Sequence, residues 1–254
     1  MLTVSRLSVT PVRGLALQHP DRIDLEEHGV LDDRRYTLLA DGRIFDGTKF
    51  GPLVQVRAHL AHDPERLTLT FPTGEVLTGE VVLGDPIHPV IYERRFTARP
   101  VIGPWADALS AHAGRPLQLI RSERLPGERD RNPVSIVSDA SVDELARQGN
   151  EGRPLDARRF RMLISVAGGH PHQEDEWMGS EVRIGQAVVR VTRPDPRCVI
   201  TTQDPDTGRR DFPTLHAIKA YRGMRDGRKI DFGVYADVVT PGSVSVDDAV
   251  APIA

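Results

Sequence analysis

The chain has 254 residues, 39% of them hydrophobic and 27% charged, with a net charge of -3. That balance describes a globular protein with material for a sizeable core, in one large or two ordinary domains, and the charge supplies no electrostatic footprint for nucleic acid. A single cysteine, Cys198, excludes an internal disulfide, a four-cysteine iron–sulfur site and a paired-cysteine redox motif. No apolar run approaches the length of a membrane span, and the N-terminus alternates like a strand rather than like a signal peptide. A cytoplasmic protein without membrane or nucleic-acid partners is therefore expected.

The elements follow in chain order. Residues 3–9 alternate with period two until Pro11 and Gly14 interrupt them. Residues 34–39 and 43–45 flank Asp41-Gly42, a two-residue hairpin signal, and residues 67–71 and 75–77 flank Pro72-Thr73-Gly74 similarly. Short strands are expected at 81–83 and 90–92. A helix over 105–112 ends at Gly114, and a strand over 117–121 leads into a charged loop at 122–133. Ser138 to Ser141 form a capping region for a helix through Leu145 and Ala146. Strands at 162–166, 182–184, 187–192 and 199–202, a helix at 215–222 and a strand at 232–239 complete the chain. The expected fold is mainly β with a few helices. It divides into an N-terminal β-barrel-like domain, residues 1–104, and a second β-barrel domain, residues 105–254.

Four stretches could carry chemistry. Arg13, beside Gly14, and Arg34, in Asp32-Asp33-Arg34-Arg35, are basic groups at strand ends that could clamp a phosphate, since guanidinium matches phosphate oxygens two at a time. Taken alone, they also fit ordinary surface charge. Arg158, Arg159 and Arg161 enter the strand expected at 162–166, where alternation puts Arg159 and Arg161 on one face, turned outward or holding an anion. His170-Pro171-His172 followed by Glu174, Asp175 and Glu176 reads as an exposed acidic loop rather than a zinc or iron site. Cys198 follows Arg197, which would favour a thiolate, and precedes Thr201, Thr202 and the turn sequence Asp204-Pro205-Asp206-Thr207-Gly208. The residue types leave it open as a buried thiol, a nucleophile or a metal ligand.

Taken together, these pieces resemble the MOSC family, named for the C-terminal domain of molybdenum cofactor sulfurase, and particularly its amidoxime-reducing members. Pro11-Val12-Arg13-Gly14 and residues 29–36 resemble the family's N-terminal β-barrel domain, with arginine at position 13 where lysine is usual. Residues 141–145, Arg159-Phe160-Arg161, Glu174-Asp175-Glu176-Trp177, Ile184-Gly185, Arg197-Cys198, Thr201-Thr202 and residues 204–208 resemble the MOSC domain. The resemblance implies a molybdenum-pterin cofactor (molybdopterin), with Cys198 as the ligand to molybdenum. It also implies cofactor contacts from Arg13, Arg34, Arg159, Arg161, Arg197, Thr201 and Thr202, and a pocket shaped by Asp175 and Trp177, with Asp175 beside Cys198 among the catalytic residues. The activity it implies is reduction of N-hydroxylated small molecules, with electrons from a separate ferredoxin- or flavin-type protein. Carriage of the cofactor, or of sulfur on Cys198, is the alternative. One departure stands out: Met162 and Leu163 follow Arg161 where the family usually has proline and asparagine.

Overall fold

The computed structural model describes residues 1–91, 94–124 and 132–253. Most of the loop expected at 122–133, and the end of the strand expected at 90–92, lie outside the described residues. Among the described residues the protein is mainly β with three α-helices.

Seven strands close a barrel. In order around it they are Leu2–Leu7, Ile164–Ala167, Val134–Ser138, Asp231–Thr240, Ala187–Pro196, Glu181–Ile184 and Ala249–Ile253. Alternating apolar residues fill its interior, with Val4, Leu7, Ile136, Val166, Val189, Val191 and Val234 all inaccessible to solvent. One pair, Val134–Ser138 with Ile164–Ala167, is parallel. A parallel pair needs a crossover, and helix α2 (Asp139–Gly149) supplies it. Ser138 caps that helix, its side chain accepting from the Ser141 N–H at 3.1 Å. The other helix of this unit, α3 (Thr214–Arg222), packs with α2 over a core of Phe160, Phe212, Ile218 and Phe232.

The remaining strands form a second seven-stranded sheet and two three-stranded sheets. The Asp41-Gly42 hairpin forms as its sequence predicts, with Ala40 opposite Arg43, and the Pro72-Thr73-Gly74 turn joins Thr70 to Val76. Helix α1 (Trp105–Ala113) ends on Gly114 in the left-handed conformation and buries Trp105 and Leu109 in the core of this unit. The strands Ala98–Ile102 and Gln118–Ser122 pair with each other, so the division expected at residue 104 falls inside this sheet. We place the crossing into the barrel after Ser122 instead. The first strand, Leu2–Leu7, belongs to the barrel, because its alternating face completes the ring between Ile164–Ala167 and Ala249–Ile253.

Candidate functional site

A cleft of about 100 Å³ lies where the two units meet, and Cys198, Arg13, Arg34 and Arg161 all line it. Cys198 is exposed to it. The strand Ala187–Pro196 ends just before the cysteine, and the strand expected at 199–202 is instead a 3₁₀ turn, Val199–Thr202, for which Cys198 is the N-terminal flank. Thr201 holds this turn: its N–H and its hydroxyl donate to the Cys198 carbonyl at 3.2 and 3.0 Å. Thr202 donates to the Val199 carbonyl at 2.7 Å. Both threonines therefore shape the cysteine's loop from behind, and neither lines the cleft.

The arginines reach the cleft from both units. Asp32 and Arg34 both adopt left-handed backbone, at φ 65° and 58°. That irregular turn sets Arg34 beside the buried Asp33 at 2.5 Å, while Asp33 also accepts the Thr10 N–H at 2.9 Å. Arg34 also donates at 3.2 Å to the Arg161 carbonyl, across the junction of the units. Arg161 follows a 3₁₀ helix, Ala157–Phe160, and not a strand, so Arg159 and Arg161 diverge. The Arg161 guanidinium turns into the junction and donates to the Leu15 carbonyl at 2.7 Å. Burial, and then the charge of Arg34, push its pKa down to about 9, so it remains a cation at neutral pH.

Arg159 turns the other way, pairing with Asp211 at 3.0 Å and donating to the Thr201 carbonyl at 3.2 Å. It supports the cysteine loop without lining the Cys198 cleft. Arg159→Ala is accordingly expected to lower stability by about 2 kcal/mol in denaturant unfolding, the scale of lost charged hydrogen bonds, while leaving the chemistry at Cys198 intact.

Arg197 was expected to favour a Cys198 thiolate. Its guanidinium is instead engaged by Asp195, by the Phe160 carbonyl and by the Met162 sulfur at 3.1 Å, and it stacks over the Phe160 ring at 5.4 Å. With Asp195 offsetting its charge, Arg197 chiefly fixes the Phe160–Met162 segment that carries Arg161. Met162 thus lines the cleft as a partner of Arg197, and Leu163 points into the barrel core. Sequence reasoning passed over Asp195, although it lies within the same Asp-Pro-Arg-Cys stretch. It also passed over Asn132, Ser135 and Tyr235, which line the cleft from distant strands and loops and leave no local signal.

Asp175 is not among the residues lining this cleft; it pairs with Arg222 at 2.6 Å. The segment expected as an exposed acidic loop is a 3₁₀ helix, Gln173–Trp177, whose Glu174 and Trp177 are buried. Glu174 accepts from the Ser141 hydroxyl at 2.9 Å and from the Ser138 N–H at 3.3 Å, tying the segment to the start of α2. Burial raises its pKa despite those bonds. His172 packs edge-on against Phe232 and meets the Tyr221 hydroxyl at 3.2 Å. Burial, then the Arg222 charge, lower its pKa to about 4, against opposing pulls from Asp175 and Glu144. The unfolded chain therefore takes up a proton at pH 6.5 that the folded chain refuses until about pH 4. Stability should fall as pH drops through that window. His172→Asn, which tolerates the left-handed backbone at φ 62°, should flatten that slope in urea titrations.

The cleft thus combines four arginines from two units, the buried carboxylate of Asp195, the half-buried carboxylate of Asp46 and one exposed thiol. That donor set fits a ligand with an anionic end and a soft metal at the other end. Among the described residues, no group of three or more His, Cys, Asp or Glu could hold a metal on its own. No helix among the described residues is long and apolar enough to cross a membrane.

The family model of the MOSC domain matches residues 112–251. Over 128 residues, 48% of this chain and 37% of the relative, the chain is 35% identical to mitochondrial amidoxime reducing component 2 of Macaca fascicularis. It is 26% identical to molybdenum cofactor sulfurase of Caenorhabditis elegans over 239 residues, 92% of this chain and 33% of that protein. These matches span about a third of the length of either relative. Among solved structures, the YUAD protein of Bacillus subtilis is similar over 98% of this chain and 94% of its own, with a TM-score of 0.45 and 14% identity.

Proposed function

The chain belongs to the MOSC domain family, and from that membership we propose that the Cys198 cleft binds a molybdenum-pterin cofactor and reduces N-hydroxylated small molecules. The observation that carries this reading is the convergence of Arg13, Arg34 and Arg161 on the cleft that Cys198 faces. The three guanidinium groups would hold the pterin phosphate, since each offers paired donors to its oxygens. Cys198 would supply the thiolate ligand to molybdenum.

When bound, the cofactor supplies two-electron redox chemistry at the mouth of the cleft. An N-hydroxylated substrate, two electrons and two protons give the corresponding amine or amidine and water. The electrons come from a separate electron-transfer protein of ferredoxin or flavin type. The protein's share is to bind, orient and limit access. Phe160 and Met162 wall the cleft on its apolar side, and Asp195 and Arg197 keep that wall in place. The assay that tests the reading is turnover of benzamidoxime with an artificial one-electron donor, using protein made in a cofactor-proficient host. Product formation by the wild type, with strong loss in Arg34→Gln and Arg161→Gln, is expected. No product from cofactor-loaded wild type would overturn the reductase reading.

A second reading rests on the 92% of this chain that aligns with molybdenum cofactor sulfurase. In it, Cys198 carries sulfur for transfer. Sulfane sulfur bound to the chain, without amidoxime turnover, would mark that function.

A further inference from the structure

Behind Arg161, on the side away from Cys198, a second and larger cleft of about 590 Å³ runs along the junction of the two units. We infer that it binds a small organic phosphate with a planar or apolar body, of the nucleoside monophosphate class. This site is distinct from the cofactor proposal, with which it shares only Arg161.

Its walls are chemically divided. On one side, Arg57 and Thr70 stand opposite each other on paired strands and so present side chains to one face. On the other, Arg158 is held by Asp156 at 2.5 Å and Asp206 at 2.8 Å, beside Pro205. Arg161 lies between, and among the described residues its guanidinium makes a single hydrogen bond, to the Leu15 carbonyl. The next residue, Ala16, donates to the Val56 carbonyl at 2.9 Å, which brings the Arg161 side chain to the stretch where Arg57 begins its strand.

Among the described residues, the Arg57 side chain has no ion pair and no hydrogen bond. Two cations that form no ion pair among the described residues, Arg57 exposed and Arg161 half-buried, therefore face one cleft. A phosphate group satisfies both, because it accepts from several guanidinium donors at once. The rest of the lining is mixed: an apolar wall of Leu17, Val54, Phe71 and Pro72 stands beside His19 and the Asp206 carboxylate, with the Gln55 amide and the Thr70 hydroxyl to meet polar ring edges. The volume lies in the range of small-molecule sites. Inorganic phosphate alone would leave that apolar wall wet, and a lipid chain would leave Gln55 and Thr70 without partners.

Calorimetric titration of the purified protein with guanosine monophosphate, and separately with inorganic phosphate, tests the inference. The nucleotide should bind at least tenfold more tightly than phosphate. Arg57→Glu should weaken it at least tenfold without changing molybdenum content, and Leu17→Trp, which obstructs the apolar wall and keeps both cations, should do the same. Arg34→Gln should leave nucleotide affinity unchanged. Equal affinity for phosphate and nucleotide, or affinity unaltered in both Arg57→Glu and Leu17→Trp, would overturn the site. So would nucleotide binding lost in Arg34→Gln alone, since the ligand would then occupy the Cys198 cleft.

Discussion

Cys198→Ala is expected to remove amidoxime reduction to below detection while leaving the melting temperature within about 1 °C of wild type, since substitutions at exposed positions seldom change stability measurably. Cys198 is exposed and stands outside each hydrophobic core, so no burial is lost with its thiol. Cys198→Ser is the sharper comparison. A serine hydroxyl keeps the shape but is a hard, protonated oxygen at neutral pH, poorly suited to a metal that prefers a soft thiolate. The expected outcome for both variants is wild-type circular dichroism with molybdenum content reduced severalfold. Full activity in either would remove the thiol from the mechanism.

The second large effect concerns how the two units lock. The turn after the cysteine loop docks Gly208 against Gly51 so closely that a Cβ on Gly51 would lie 2.0 Å from the Gly208 carbonyl oxygen. A Cβ on Gly208 would lie 2.1 Å from the Gly51 carbonyl, at a φ of +70°. Both obstacles are backbone, so no side chain can swing aside. Asp204 builds this turn, accepting from the Thr207 N–H and hydroxyl at 2.8 Å each. Beside it, Gln203 donates to the Gly47 carbonyl at 2.8 Å.

Gly51→Ala should cost about 3 kcal/mol, the upper range for overpacking, or roughly 10 °C in melting temperature for a chain of this size. Gly208→Ala should cost more, because left-handed backbone adds about 1 kcal/mol. Both should also lower cofactor retention, since Arg13 and Arg34 lie on one side of the lock and Cys198 on the other. Gly74→Ala is the control: it also has positive φ, but a Cβ there meets nothing within 4 Å. A melting temperature in Gly51→Ala equal to that of Gly74→Ala would show that the docking is looser than this geometry requires.

Much of the architecture was legible because local rules carried it. The Asp41-Gly42 hairpin, the Gly114 stop of α1 and the Ser138 cap of α2 depend on turn and capping chemistry within a few residues. The errors came where local alternation competed with tertiary demands. Residues 159–161 look like the start of a strand, but Arg161 takes left-handed backbone so that its carbonyl meets Arg34 and its side chain meets Leu15. Residues 199–202 look extended, but the Thr201 N–H and hydroxyl donate to the Cys198 carbonyl and close a 3₁₀ turn.

The partners of the site's charged residues were least legible. Three arginines near Cys198 are equivalent on paper, yet Arg161 lines the cleft and reaches Leu15, Arg197 lines it while held by Asp195, and Arg159 braces Thr201 outside it. What separates them is which distant partner each meets: Asp211 lies 52 residues from Arg159, and Arg161 reaches the Leu15 carbonyl instead of a carboxylate. His172 and Glu174 looked solvated because their neighbours are polar, yet α2 and Phe232 cover them.

The most direct test of the account is the molybdenum and pterin content of protein purified from a cofactor-proficient host, by elemental analysis and by pterin fluorescence after oxidation. The account predicts about one of each per chain, with both reduced in Arg34→Gln and molybdenum reduced in Cys198→Ala. Well-folded wild-type protein containing neither would contradict it, and the arginines around Cys198 would then serve some other anion.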